Sequence, residues 1–383
     1  VSIIRWTEAL LAFSLQATLV IAVTALASRR LQANRERDRL WNLCFLALLT
    51  IPVAGLALPH LRLINTSPVL RLAEHPHESS AAATFALGIA VVWGAGTVLL
   101  IGRLTFDALI LGVLLRGSVP LPAEIERGLH ALMTDSGRDG GTSLDPWSVD
   151  GKPLRILVST RLVTACCCQL QTPTILLPSH LLALRVDELA YVIRHELSHL
   201  RCGHPLKLFL QRCTECIFWF HPALWWASRH ACLVREYVCD EASVVSRADA
   251  ARYLRVLLQL MIAPSVQIPR GTLGFGNSRS LLVERAASLA RLERRREAPP
   301  RPRHAWIALV GGLSMAVILT LWIPIGDSLS FRSVWSPWPA VTAECLHAAG
   351  IPARDYEVDG HRFRLQERTI DNSRVLPGDE YPE

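Results

Sequence analysis

Four long apolar stretches constrain this chain more than any other feature, because about 20 apolar residues in a helix match the hydrocarbon core of a bilayer. They run from about Ala9 to Ala27, over "WNLCFLALLTIPVAGLAL" at 41–58, over "AATFALGIAVVWGAGTVLLIG" at 82–102, and over "AWIALVGGLSMAVILTLWIPI" at 305–325. Apolar residues make up 51% of the chain and mean hydropathy is +0.29, too apolar for an ordinary soluble enzyme. The first stretch runs on into "SRRLQANRERDR" and not into a small-residue cleavage pattern, so it reads as an anchor and not a signal peptide. The second, with Pro52 inside it, is the weakest of the four.

Arginine placement orients these spans, since cytoplasmic loops carry the excess of basic residues. Arg29, Arg30, Arg35, Arg37 and Arg39 follow the first span, only Arg62 and Arg71 follow the second, and "RLERRREAPPRPRH" precedes the fourth. Both basic loops therefore belong in the cytoplasm. The N-terminus and everything after Ile325 fall outside, and residues 103–304 form a cytoplasmic insert. The net charge of +7 sits beside apolar runs, which topology explains better than nucleic-acid binding; no direct nucleic-acid partner is expected. Eight of the ten cysteines lie between Cys166 and Cys239 without disulfide-like spacing, as suits a reducing compartment. The expected fold is mainly α: a multi-pass membrane protein of the cell membrane with four transmembrane helices, a cytoplasmic α+β insert and a short extracytoplasmic tail. The expected divisions are 1–116, 117–304, 305–326 and 327–383.

Within the insert, "RLTFDALILGVLLRG" continues the third span as an amphipathic helix. A short helix follows at about 122–134, then the polar loop "TDSGRDGGTSLDP", then two short strands, "LRILVST" and "PTILLPS". Cys166, Cys167 and Cys168 between the strands read as packing. The stretch "YVIRHELSHLRCGHP" at 191–205 carries His-Glu-x-x-His. Asp187 and Glu188 suit a helix N-terminus, Gly203 and Pro205 mark its end, and Leu189, Val192, Ile193, Leu197 and Leu200 form its apolar stripe. His195 and His199, four apart, emerge from one helix face and can share one zinc ion; Glu196 can reach a water on that metal without being a ligand.

A catalytic zinc needs a third protein ligand and an open position. In "RHACLVREYVCDEASVV", Glu236 lies 37 residues after His199 (236 − 199). The intervening sequence reads as helix, turn near His221-Pro222, and returning helix, which brings Glu236 back to the histidines. Asp240, one turn further, is placed to accept the remaining N–H of a ligand histidine. Tyr237 and Arg235 are the nearest groups in sequence for an oxyanion donor. His204, His221 and His230 read as loop or packing residues, as do Cys213 and Cys216. The aromatic group Phe218, Trp219, Phe220, Trp225 and Trp226 suits a core or a membrane interface.

"VDELAYVIRHELSHLRCGHP", "FWFHPALWW" and "REYVCDEASV", with "TPTILLPSHLL" upstream, resemble the BlaR/MecR-type antirepressor membrane metallopeptidases. The resemblance, taken with the span order, covers about residues 1–326. It implies a gluzincin-like cytoplasmic zinc protease, with His195, His199 and Glu236 as ligands of one catalytic zinc and Glu196 as base. It also implies signal transduction ending in loss of a transcriptional repressor, often after self-cleavage. Its implied partners are therefore a protein substrate, a repressor or the chain itself, beside the lipid bilayer. This chain departs from well-known members in two places. His204 stands where many have Asp. The tail after Ile325 has no lysine and hence no Ser-x-x-Lys nucleophile of a penicillin-binding sensor; its Asp359-Gly360 signals a hairpin.

Three other readings compete. HtpX or Ste-type membrane proteases also join His-Glu-x-x-His to a later Glu, but the Cys239-Asp240 pair and the single span after the insert favour the antirepressor type. An intramembrane protease is disfavoured because Asp187, Glu188, Arg194 and Arg201 make the zinc helix too charged for lipid. A signalling scaffold with structural zinc has no need of Glu196. The stretch Gly271–Arg303 reads as a basic linker, with self-cleavage there as the second reading.

Overall fold

The computed structural model describes residues 3–62, 79–135, 147–169, 171–244, 247–262, 279–296 and 340–351, together with positions 312, 317, 318 and 320–322. It is mostly helical and divides into two compact units: Val1–Ala27 with Leu46–Ala95 and His304–Glu383, and Ser28–Phe45 with Gly96–Arg303.

Helix α1 (Ile3–Arg30) begins the first unit, and α2 (Asn34–Ala57) enters it from Leu46. Helix α3 (Ser79–Arg116) starts there as well. Two segments among the described residues are long and apolar enough to cross a membrane, Ala9–Arg30 and Thr84–Arg116. The second apolar stretch is helical within α2, with Pro52 inside the helix. Most of the fourth stretch lies outside the described residues. Where it is described, positions 312, 317, 318 and 320 are helical as expected, whereas Leu321–Trp322 forms a short strand paired in parallel with Leu61–Arg62 (β1). Gln16 donates to the Leu321 carbonyl at 2.6 Å. An apolar run fixes no backbone conformation by itself, and pairing partners decide it. The tail's Asp359-Gly360 signal lies outside the described residues.

Helix α3 is unbroken over 38 residues, about 57 Å at 1.5 Å per residue, roughly twice the bilayer hydrocarbon thickness. Its second half, from Gly96, belongs with the second unit. Strand β2 (Val119–Pro120), α4 (Ala123–Asp135) and a hairpin of β3 (Ser148–Val149) and β4 (Lys152–Pro153) follow. Asp150 and Gly151 close that hairpin with φ of 51° and 74°, the positive pair that a tight two-residue turn requires.

Strands β5 (Arg155–Ser159), β6 (Cys166–Gln169) and β7 (Pro173–Pro178) complete a sheet of order β2-β5-β7-β6. β7 runs parallel to β5 and antiparallel to β6, with Ile175 opposite Ile156 and Cys167. Every residue of β7 is buried, because apolar layers cover both faces. Ile156, Val158, Ile175 and Leu177 face a core completed by Leu129 and Met133 of α4 and by the zinc-motif helix. The alternate residues Leu157, Cys168 and Leu176 pack with Leu114 of α3, as the two-residue period of a strand dictates.

The motif helix, α5 (Val186–Arg201), lies over the first of these faces with Leu189, Ile193, Leu197 and Leu200 buried. Glu188 accepts the backbone N–H of Arg185 at 3.2 Å, half of a capping box. Gly203 ends it at φ 64°, a left-handed conformation that favours glycine. Helix α6 (His204–Ile217) begins at once, with Pro205 in its first turn. Helix α7 (Pro222–Ser243) returns, and α8 (Arg247–Ile262) and α9 (Arg279–Arg296) follow it. All of α9 falls in the stretch read as linker; the rest of that stretch lies outside the described residues.

The basic loop after the first span belongs to the second unit. The first part of α2 packs within the second unit: Trp41 and Phe45 are buried, Trp41 sits edge-on to Trp226, and Asn34 donates to Glu241 at 2.6 Å. Because Ile193 is wholly buried at the sheet–helix interface, Ile193→Ala is expected to cost about 2–5 kcal/mol, measured by chemical unfolding of the detergent-solubilised chain.

Candidate metal centre

Helices α5 and α7 bring three ligand atoms together. His195 Nε2 lies 3.2 Å from His199 Nε2 and 3.4 Å from Glu236 Oε2, while His199 Nε2 lies 3.5 Å from Glu236 Oε1. Ligands about 2.0–2.1 Å from a tetrahedral zinc stand roughly 3.3 Å apart. The separations are of that size, with the two rings facing different oxygens of the Glu236 carboxylate, and the imidazole–imidazole–carboxylate donor set suits zinc. These residues are one of two groups among the described residues whose geometry can hold a cation; the other is His199, His204 and Cys239.

The reverse sides of both rings are occupied. His195 Nδ1 faces Tyr253 Oη at 3.0 Å and Asp240 Oδ1 at 3.3 Å. Glu236 and Asp240, four apart on α7, share a helix face. Asp240, fully buried, also accepts from Tyr253 at 2.5 Å and from Arg285 Nε and Nη2 at 2.8 and 2.6 Å. Arg285 Nη1 reaches Glu236 Oε2 at 3.3 Å. On the other ring, His199 Nδ1 lies 2.8 Å from His204 Nδ1. His204, read from sequence as packing, therefore touches a site histidine.

The electrostatics favour a cation between the rings. Burial opposes protonation of His195, but Asp240 and Glu236 outweigh it and push the ring up to about 10. The same field favours a metal ion. Burial holds His199 down at about 3. Burial would raise Glu236, yet the hydrogen bond from His195 and the Arg285 charge hold it well below the carboxylate range. Glu196 is raised, chiefly by burial, with His195 opposing. An elevated carboxyl beside the cluster has the character of a general base. The Cys167 thiol on edge strand β6 is hydrogen-bonded to Glu196, a contact beyond the packing role read for the cysteine triplet.

Other residues singled out in the sequence lie elsewhere. Tyr237 bonds Glu284 at 3.4 Å, and Arg235 donates to Gln211 at 2.7 Å; these contacts direct both away from the three ligand atoms. His230 stacks on Trp226, and Cys213 and Cys216 are free thiols belonging to neither cation group. Tyr253 and Arg285 escaped sequence reading because they come from α8 and α9 and belong to no spaced motif. The one available signal was Asp240 itself: a buried carboxylate demands a cationic partner, yet nothing marks which of many arginines supplies it. Arg285→Ala strands the buried Asp240 charge and is expected to cost about 3 kcal/mol. Arg285→Lys should recover little of this, since lysine lacks the two-pronged geometry. Unfolding curves of both variants decide the point.

A family model described as BlaR1 peptidase M56 matches residues 144–289. No curated protein matches the chain. The matched stretch contains His195, Glu196, His199, Glu236, Asp240, Tyr253 and Arg285. Over residues 144–289, 146 of its 383 residues, the chain is similar to the BlaR1 peptidase M56 family.

Proposed function

We propose that this protein is a membrane-embedded zinc metalloendopeptidase of the antirepressor type. His195, His199 and Glu236 hold one zinc ion, Glu196 is the general base, and Asp240 orients His195. The observation that carries this reading is the convergence of His195 Nε2, His199 Nε2 and the Glu236 carboxylate at 3.2–3.5 Å, with a buried, raised Glu196 beside them. When bound, zinc supplies Lewis acidity, lowering the pKa of a water toward about 7 and polarising the scissile carbonyl.

Glu196 takes the proton of the attacking water and returns it to the leaving amine. Asp240 and Tyr253 hold His195 from behind, so its other nitrogen stays aimed at the ligand position. Strand β6, at the sheet edge and carrying Cys167 against Glu196, offers main-chain hydrogen bonds to an extended peptide. Substrates of this chemistry are a transcriptional repressor or the chain itself.

Glu196→Gln is expected to keep zinc stoichiometry while lowering hydrolysis of casein, or self-cleavage, by at least about 10²-fold. His199→Ala should lose both metal and activity. Equal processing by wild type and Glu196→Gln would instead support a scaffold with structural zinc.

The proposed topology places the peptidase on the cytoplasmic side of the cell membrane, with the N-terminus and tail outside. The arginine-rich loops support it. Cys345, exposed on α10 (Ala340–Ala348), should react with a membrane-impermeant maleimide in intact cells. Labelling only after lysis would reverse the orientation.

A further inference from the structure

The two ligand rings are backed differently. His195 rests on Asp240, whereas His199 Nδ1 meets another imidazole, His204 Nδ1, at 2.8 Å, a nitrogen that Cys239 Sγ also faces at 3.5 Å. For His199 Nε2 to hold zinc its proton must sit on Nδ1, so His204 Nδ1 is the acceptor. The His204 proton then lies on Nε2, buried and without a hydrogen-bond partner, and 3.6 Å from Asp38 Oδ2. Lys207 holds Asp38 at 2.5 Å, and Arg235 Nε stands 3.8 Å from its other oxygen. Asp38 and His204 are both buried. Asp38 belongs to α2, within the second unit but outside the residues matched to the peptidase family.

We propose that Asp38, acting through His204, is a positioning residue for the zinc ligand His199, so that helix α2 completes the metal site. The proposal rests on the zinc reading above. Zinc on the alternative group of His199, His204 and Cys239 would take His199 Nδ1 and His204 Nδ1 as ligands and is incompatible with this chain of donors.

The test uses the full chain in detergent, with zinc stoichiometry and affinity measured by competition with a chromophoric chelator. The absorption spectrum after cobalt(II) substitution reports ligand geometry. Wild type should bind one zinc. Asp38→Asn should weaken it about 10- to 100-fold and shift the cobalt spectrum. In a His204→Phe background, Asp38→Asn should bring no further loss. Lys207→Gln, which breaks the ion pair but keeps the acceptor, should change affinity far less than Asp38→Asn.

Unchanged affinity in Asp38→Asn, additive losses in the double variant, or an equal loss in Lys207→Gln would each overturn the positioning role while leaving the zinc reading intact. Two zinc ions per chain would overturn the assigned donor order. A wild type that takes up no zinc would remove the zinc reading and this proposal together.

Discussion

Two imidazoles and two carboxylates are held against the apolar layers of the peptidase unit, and the rest of the structure follows from making that tolerable. A polar group removed from water is costly unless it meets a partner, and a charge far more so. The apolar stripe of α5 is occupied with the sheet, so its histidines emerge toward α7, where Glu236 meets them. Two ring nitrogens and one carboxylate 3.2–3.5 Å apart could hold one cation. The charges around them are arranged to want one.

The carboxylates differ because their surroundings do. Glu236 keeps about a third of its side chain exposed (34%), while Asp240 keeps none. An acid at the rim can share a metal with an open position, as a hydrolytic site requires. A wholly buried acid serves as an anchor instead, and Asp240 is accordingly gripped by Arg285, Tyr253 and His195. Glu196 is raised because it is buried among few cationic neighbours. One cluster thus contains a carboxylate held low and another held high, the separation that assigns ligand and base.

Much of this was legible before any coordinates. The helix ends around Asp187 and Gly203, the strands at 155–159 and 173–178, and the turn at His221-Pro222 all rest on local signals: caps, a left-handed glycine, alternation of apolar residues. The return of Glu236 was legible as well, since a helix–turn–helix of that length has few alternatives. The outer contacts were not. His204 reads as an ordinary loop histidine until the turn at Gly203 folds it back onto His199. Asp38 lies in a basic segment whose composition speaks of membrane orientation, and Arg285 in one that reads as a linker.

The sequence by itself determined the candidate ligand types, a candidate base and the apolar stretches, because helical period, charge and hydropathy are properties of neighbours along the chain. Only the tertiary structure decided which groups stand behind the ligands, and that α2, α8 and α9 supply them. The approach of Asp38 to His204, like the hydrogen bonding of Arg285 to Asp240, depends on position in space to a fraction of an ångström. No spacing rule reaches across 166 (204 − 38) or 45 (285 − 240) residues to specify it.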